Sequence, residues 1–201
     1  MRWHERPTSQ QLLRLRRHYA ANMTLIDEQI ALILEALAKK GYLENAIVLF
    51  TSDHGDCLGD QGRIQKLTMY DCIVRTPTLV WAPRRLPAGK RAGELVQQFD
   101  LVPLLLELAG LQPPAGLAVS ALAVARGEHP RREVVFAEQS ADNVYQGVNL
   151  LTMVRTCAGS SSTTWTSPGA SRTISRTTPM KCETSGPSPR CRPFGRICWP
   201  S

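Results

Sequence analysis

The unbroken run AIVLFT, residues 46–51, constrains the fold of this 201-residue chain more than any other stretch. It is rich in β-branched and aromatic side chains and free of charge, which predicts a strand buried on both faces. Directly behind it comes SDHGDCLGDQG, residues 52–62, in which aspartates and glycines crowd around His54. In front of it, Thr8 and Gln11 have the spacing of a capping box, and Gly41 stands where a helix would stop. Between them Leu12, Leu15, Tyr19, Met23, Ile26, Ile30, Ile33 and Leu37 recur every three or four residues, the apolar face of one long amphipathic helix. Helix, buried strand and polar loop therefore follow one another without a break.

The pattern repeats more briefly downstream. TPTLVWAP, 76–83, predicts a second short buried strand bounded by Pro77 and Pro83. Asp100 is placed to cap the helix LVPLLLELAG, with Pro103 in its first turn and Gly110 ending it. EVVFAEQ, 133–139, is a third strand candidate. Strands alternating with helices predict an α/β fold, a sheet flanked by helices. Ligands of such sheets gather outside the carboxyl ends of the strands, where the Asp53–His54 loop falls.

Charge and cysteine content divide the chain in two. The net charge of +7 comes mostly from residues 157–201, which hold six Lys or Arg against the single acid Glu183. The first 156 residues are nearly balanced and carry no basic helix face with interleaved aromatics, so no nucleic-acid partner is expected. Cys57 and Cys72 are the only cysteines before residue 157, and no pair has zinc-type CxxC spacing, so two free thiols are expected there. No apolar run approaches the roughly 18 residues of a membrane span, and no membrane partner is expected. The first twenty residues lack the apolar core and cleavage site of a signal peptide, which makes the cytoplasm the default location.

Chemistry concentrates in the polar loop. A carboxylate and an imidazole side by side, Asp53 and His54, suit a shared divalent cation if the backbone turns sharply, and Gly55 offers that freedom. The bland alternative is an acidic, glycine-rich turn with a solvated histidine. Lys66, in QKLTMYDCIVRTP, is either a surface lysine or a point charge reaching back to an anionic substrate oxygen. Composition alone leaves both pairs of readings open.

Taken in order, NMTLIDEQIALILEALAKKGYLENAIVLFTSDHGD, LGDQGRIQKLTMYDCIVRTPTLVWAP and QQFDLVPLLLELAGL resemble the sulfatase family of the alkaline phosphatase superfamily. The resemblance covers roughly residues 15 to 155. It implies a partial alkaline-phosphatase/sulfatase-like sheet flanked by helices, and hydrolysis of a sulfate ester or, alternatively, of a phosphonate or phosphate ester. A degenerate, non-catalytic fragment is the remaining alternative. It implies Asp53 and His54 as ligands of a divalent cation, Ca²⁺ first and Mg²⁺ or Mn²⁺ next. Lys66 matches the lysine that contacts the sulfate or phosphate group and serves both catalysis and substrate binding. Arg75 matches an arginine of structural role, and Gln61 replaces a histidine often found in this motif. Asp56 and Asp60 are expected to shape the turn.

The family's nucleophile, a Cys or Ser in a C/S-x-P-x-R motif, has no match among these residues, nor has its early pair of metal-binding aspartates. CRPFGR (191–196) and SGPSPR (185–190) are misspaced and far downstream. The chain is therefore expected to be the C-terminal portion of a catalytic domain, 1–156, inactive alone and followed by an irregular tail, 157–201. Sixteen of those last 45 residues are Ser or Thr. Codons for 159–169 can be chosen that read RKLVHYLDEPG one base earlier. By the same shift, 171–187 can read ADDLEDDPDEVRNLWA. Both resemble the family's usual continuation, which predicts a frameshift near Thr156.

Overall fold

The computed structural model describes residues 7–66, 68–126, 128, 132–140 and 150–156, together with the backbone of 159–166, 170–174, 182–183 and 190–191. The chain forms two compact units, 1–88 and 89–201. The first opens with helix α1, Ser9–Lys39. Its start is the predicted capping box: Thr8 Oγ1 accepts the Gln11 N–H at 3.3 Å, and Gln11 Oε1 accepts the Thr8 N–H at 2.9 Å. Two of the orphan donors of the first turn are thereby satisfied. Gly41, at φ 73°, ends the helix in the left-handed region that only glycine enters cheaply.

A short 3-10 turn, Tyr42–Asn45, leads into β1, Val48–Thr51. The hairpin strands β2, Cys57–Leu58, and β3, Ile64–Gln65, follow. One helical turn, α2, Asp71–Val74, then precedes β4, Thr78–Trp81. β1 pairs antiparallel with β4, Val48 opposite Trp81 and Thr51 opposite Thr78. Both strands lie within their predicted ranges, but neither is buried on both faces. Phe50, Leu79 and Trp81 are exposed, because β1 and β4 form a two-stranded sheet of their own.

In the second unit a 3-10 turn, Gln98–Asp100, leads into α3, Leu101–Leu108, then α4, Ala121–Arg126. Asp100 is at the predicted junction but does not cap α3. It is buried, it accepts the Gln97 N–H at 2.7 Å, and both its oxygens take the guanidinium of Arg132. Ion pairing has overridden the expected cap. Leu101, Leu104 and Leu108 of α3 and Leu122 and Val124 of α4 are buried. Gly110, at φ 79°, follows α3 as predicted.

β5, Val134–Ser140, and β6, Leu150–Thr156, run antiparallel and continue through β7, Gly159–Thr166, and β8, Ala170–Ile174. β9, Cys182–Glu183, pairs with β10, Arg190–Cys191. The described sheet continues across residue 156, the expected boundary, into β7 and β8, and the rest of the tail lies outside the described residues. The side chains of Cys157, Cys182, Cys191 and Cys198 lie outside them too. The architecture is thus helices with small sheets, and every described strand pair is antiparallel. Among the described residues no helix is long and apolar enough to cross a membrane.

Candidate active site: the Asp53–His54 loop

The loop begins where β1 lets go of β4. Thr51 Oγ1 donates to the Pro77 carbonyl at 2.9 Å, fixing the strand exit. Ser52 Oγ then donates to the His54 carbonyl at 2.7 Å and approaches Asp53 Oδ1 at 3.4 Å. Asp53 Oδ1 accepts the His54 N–H at 2.8 Å. This backbone donor, with the Ser52 hydroxyl behind it, holds the Asp53 carboxyl below its ordinary range.

The turn at Gly55 is explained by space rather than by an unusual backbone angle. Gly55 is not among the glycines with positive φ. Its N–H donates to the Ile73 carbonyl at 2.7 Å, and a Cβ there would stand 1.9 Å from the Cys72 carbonyl oxygen. The conformational freedom expected of Gly55 is therefore replaced by a requirement for close backbone approach. That contact ties the loop to α2.

β2 and β3 turn the chain back on itself, with Cys57 opposite Gln65 and Leu58 opposite Ile64. Asp60 Oδ2 accepts the Leu58 N–H at 3.0 Å within this turn. Gly59, at φ 102°, packs against Leu12, and the Leu58 carbonyl accepts Arg16 Nε at 2.8 Å, so the hairpin leans on α1. Gln61 adopts a left-handed φ of 53° and is exposed, shaping the turn rather than facing the loop's donors. The result of the turn is that Lys66, twelve residues after His54, returns to it: Nζ lies 2.7 Å from His54 Nε2.

The imidazole is oriented from both ends. His54 Nδ1 lies 2.8 Å from the Gly55 carbonyl. A carbonyl can only accept, so Nδ1 carries the proton and Nε2 presents its lone pair to Lys66. Asp53 Oδ2 is 3.3 Å from the same Nε2. The three residues singled out from the sequence are thus brought together, one oxygen and one nitrogen donor converging beside an ammonium.

This donor set fits part of a divalent-cation site. An imidazole held by a carbonyl on its other nitrogen is the usual arrangement of a metal-binding histidine. Nε2 has one lone pair and serves either Lys66 or a cation. Asp56 Oδ1 is shut off from solvent without a hydrogen-bond partner, a spare oxygen on the same loop. Among the described residues, however, no group of three or more His, Cys, Asp or Glu is placed to hold a metal. Arg75 lies 3.7 Å from Asp71, consistent with a structural role on α2.

Sequence reasoning did not find Ser52 or Arg16. A hydroxyl residue between a strand and an Asp-His pair was a usable signal for Ser52. Nothing local marks Arg16, whose partner lies 42 residues away.

The sulfatase family model matches residues 2–111. An N-acetylglucosamine-6-O-sulfatase of Bacteroides thetaiotaomicron is 33% identical over 106 residues, 53% of this chain and 19% of that protein. A solved protein in complex with its substrate D-glucosamine-2-N,6-O-disulfate superposes with a TM-score of 0.68 at 25% identity, over 78% of this chain and 33% of that one. A phosphonate monoester hydrolase of Silicibacter pomeroyi has the same fold, with a TM-score of 0.68 at 22% identity over 86% of this chain and 39% of its own. The chain spans about a fifth of the length of the curated relative.

Proposed function

We propose, from the premise that this chain belongs to the sulfatase family, that it carries half of the catalytic centre of a sulfuric ester hydrolase. Asp53 and His54 are its ligands to a divalent cation, and Lys66 holds an anionic ester oxygen of a small-molecule substrate. The observation that carries this reading is the convergence of Lys66 Nζ, at 2.7 Å, and Asp53 Oδ2, at 3.3 Å, on His54 Nε2. When bound, the cation would polarise the ester and lower the pKa of the attacking group. The chain's own residues do the rest. The Gly55 carbonyl holds the imidazole tautomer, the backbone N–H of His54 keeps Asp53 ionised, and the β2–β3 hairpin delivers the lysine charge.

Ca²⁺ is the first candidate, with Mg²⁺ and Mn²⁺ next; the imidazole nitrogen of His54 weighs toward Mn²⁺, since Ca²⁺ and Mg²⁺ favour oxygen. The same histidine supports a second reading, hydrolysis of a phosphonate or phosphate ester. Residues 1–156 are proposed as the sulfatase-type part and 157–201 as an out-of-frame tail without evolved chemistry.

Metal binding to the purified 201-residue chain, followed by titration calorimetry with Mn²⁺ and Ca²⁺, tests the ligand assignment. Asp53→Asn and His54→Ala are expected to weaken binding at least tenfold, whereas Lys66→Ala, which frees the Nε2 lone pair, is expected not to weaken it. Equal affinity in all four proteins sinks the assignment. The chain alone is expected to turn over neither an aryl sulfate nor an aryl phosphonate ester, because it holds no C/S-x-P-x-R nucleophile motif. Metal-dependent turnover by the chain alone overturns that part.

A further inference from the structure

The two cysteines of the first unit have been brought into contact by the same turn that positions Lys66. Cys57, on β2, is fully buried, and its Sγ lies 3.2 Å from the Sγ of Cys72 on α2. The backbones behind the two thiols are fixed independently of them. Gly55 donates to Ile73, Cys57 pairs with Gln65, and the space a Cβ would need at Gly55 is taken by the Cys72 carbonyl. Nothing in the proposed chemistry uses either sulfur. The sequence predicts two free thiols, and both are free here, but they lie in contact.

We propose that Cys57 and Cys72 are a disulfide-forming pair whose bridge closes the segment 57–72 and holds Lys66 against His54. The oxidant is a low-molecular-weight disulfide such as oxidised glutathione. The partly buried Cys72 thiolate attacks one sulfur of it, forming a mixed disulfide and releasing one thiol. The Cys57 sulfur, 3.2 Å away, attacks the Cys72 sulfur, forms the internal bridge and releases the second thiol. Two protein thiols and one external disulfide become one protein disulfide and two external thiols, with the two protons on the leaving thiols. Burial, with the Cys57 thiol and then Asp60 beside it, pushes Cys72 up to about 12. The first step is therefore slow at neutral pH. Reopening by attack on the buried Cys57 sulfur must expel the Cys72 thiolate, a poor leaving group while its pKa is raised.

A packed pair of thiols sharing a weak S–H···S bond is the competing explanation, and the two differ under oxidation. The full chain is incubated with oxidised glutathione at mildly alkaline pH, alkylated, digested without reduction and mapped by mass spectrometry. The expected product is a cross-linked peptide pair containing Cys57 and Cys72, 2 Da lighter than the two thiol peptides. In a variant with Cys157, Cys182, Cys191 and Cys198 all changed to Ser, oxidation is expected to raise the Tm by roughly 10 °C. The added Cys72→Ser change is expected to abolish that rise. The inference is overturned if Cys57 and Cys72 remain alkylatable after full oxidation, if either bridges to a tail cysteine instead, or if the oxidised four-serine variant melts no higher than the reduced one. Because no readout depends on metal or turnover, failure here is distinguishable from failure of the hydrolase reading.

Discussion

Replacing Gly55 by alanine puts one methyl group where the structure has no room for it. The added Cβ would lie 1.9 Å from the Cys72 carbonyl oxygen and 3.0 Å from its carbon, against a limit near 3.0 Å for any real contact. Backbone rather than a flexible side-chain tip stands in the way, so the loop and α2 must separate by about 1 Å. Separation lengthens the 2.7 Å bond from the Gly55 N–H to Ile73, worth about 1 kcal/mol. Overpacking adds about 1–3 kcal/mol. The sum is about 2–4 kcal/mol, which lowers a urea midpoint by about 1–2 M at an m-value near 2 kcal/mol/M. Equilibrium urea unfolding of the 201-residue chain reads this directly. Gly41→Ala is the comparison: Gly41 has open space around its Cβ position but a φ of 73°, so it isolates the cost of the left-handed backbone, about 1–2 kcal/mol. If Gly55→Ala unfolds within about 0.2 M of the parent, the loop is not locked to α2 and the account of how Asp53 and His54 are presented is wrong.

Three further outcomes are expected. Asp100→Ala leaves the partly buried Arg132 guanidinium without its buried carboxylate partner and should cost about 2–3 kcal/mol by the same unfolding assay, with Asp100→Ala/Arg132→Met recovering part of the loss; a cost below about 1 kcal/mol contradicts the ion pair. The Asp53 carboxyl, held low by the His54 N–H, should titrate below 3.8 by NMR of its side-chain carbon. Its contribution to stability is present above the unfolded value and lost as pH falls through the lower folded value, and a titration at or above 3.8 refutes the hydrogen bond as drawn. Nucleotide sequencing across codons 157–201 should reveal a family-like frame one base away, and a frame that carries no such continuation removes the out-of-frame tail.

The limits of α1, its capping box and its Gly41 stop were legible because helix ends are written in a few local residues. The pair Asp53–His54 and the later Lys66 were legible as residues, but their meeting was not. It depends on a hairpin of two-residue strands, too short to leave a period-two pattern, and on left-handed angles at Gln61 and Gln65 that these residue types do not advertise. At Gly55 the sequence predicts conformational freedom where the structure requires space, because sequence marks a glycine without saying whether φ or space requires it. Asp100 was misread because the local helix-start pattern carried no hint of Arg132, 32 residues on.

The largest disagreement concerns burial, and it has a single physical source. AIVLFT has the composition of a strand covered on both faces, and the α1 stripe that of a helix packed on one side. Yet α1 has no buried residue, Met23, Ile26 and Ile33 are 44%, 47% and 59% exposed, and Phe50, Leu79 and Trp81 face outward from β1 and β4. Local sequence encodes the environment a segment is built for, and the described residues do not supply that environment. The chain aligns with only 33% of the solved glucosamine-disulfate-binding protein, so most of such a domain is not represented in the match. A two-stranded pair is marginal in water by itself. The exit of β1, fixed to β4 by Thr51 on Pro77 and Thr78 and by a four-residue ladder, inherits that marginality. The contacts that set the local shape of the loop, Ser52 to His54, Gly55 to Ile73 and the β2–β3 turn resting on Leu12 and Arg16, all lie within the first unit and do not need the cover. The site's internal geometry and the firmness with which it is held are therefore separable: the first is written within residues 51–73 and the two α1 side chains Leu12 and Arg16, and the second depends on surfaces that α1, β1 and β4 still present to solvent.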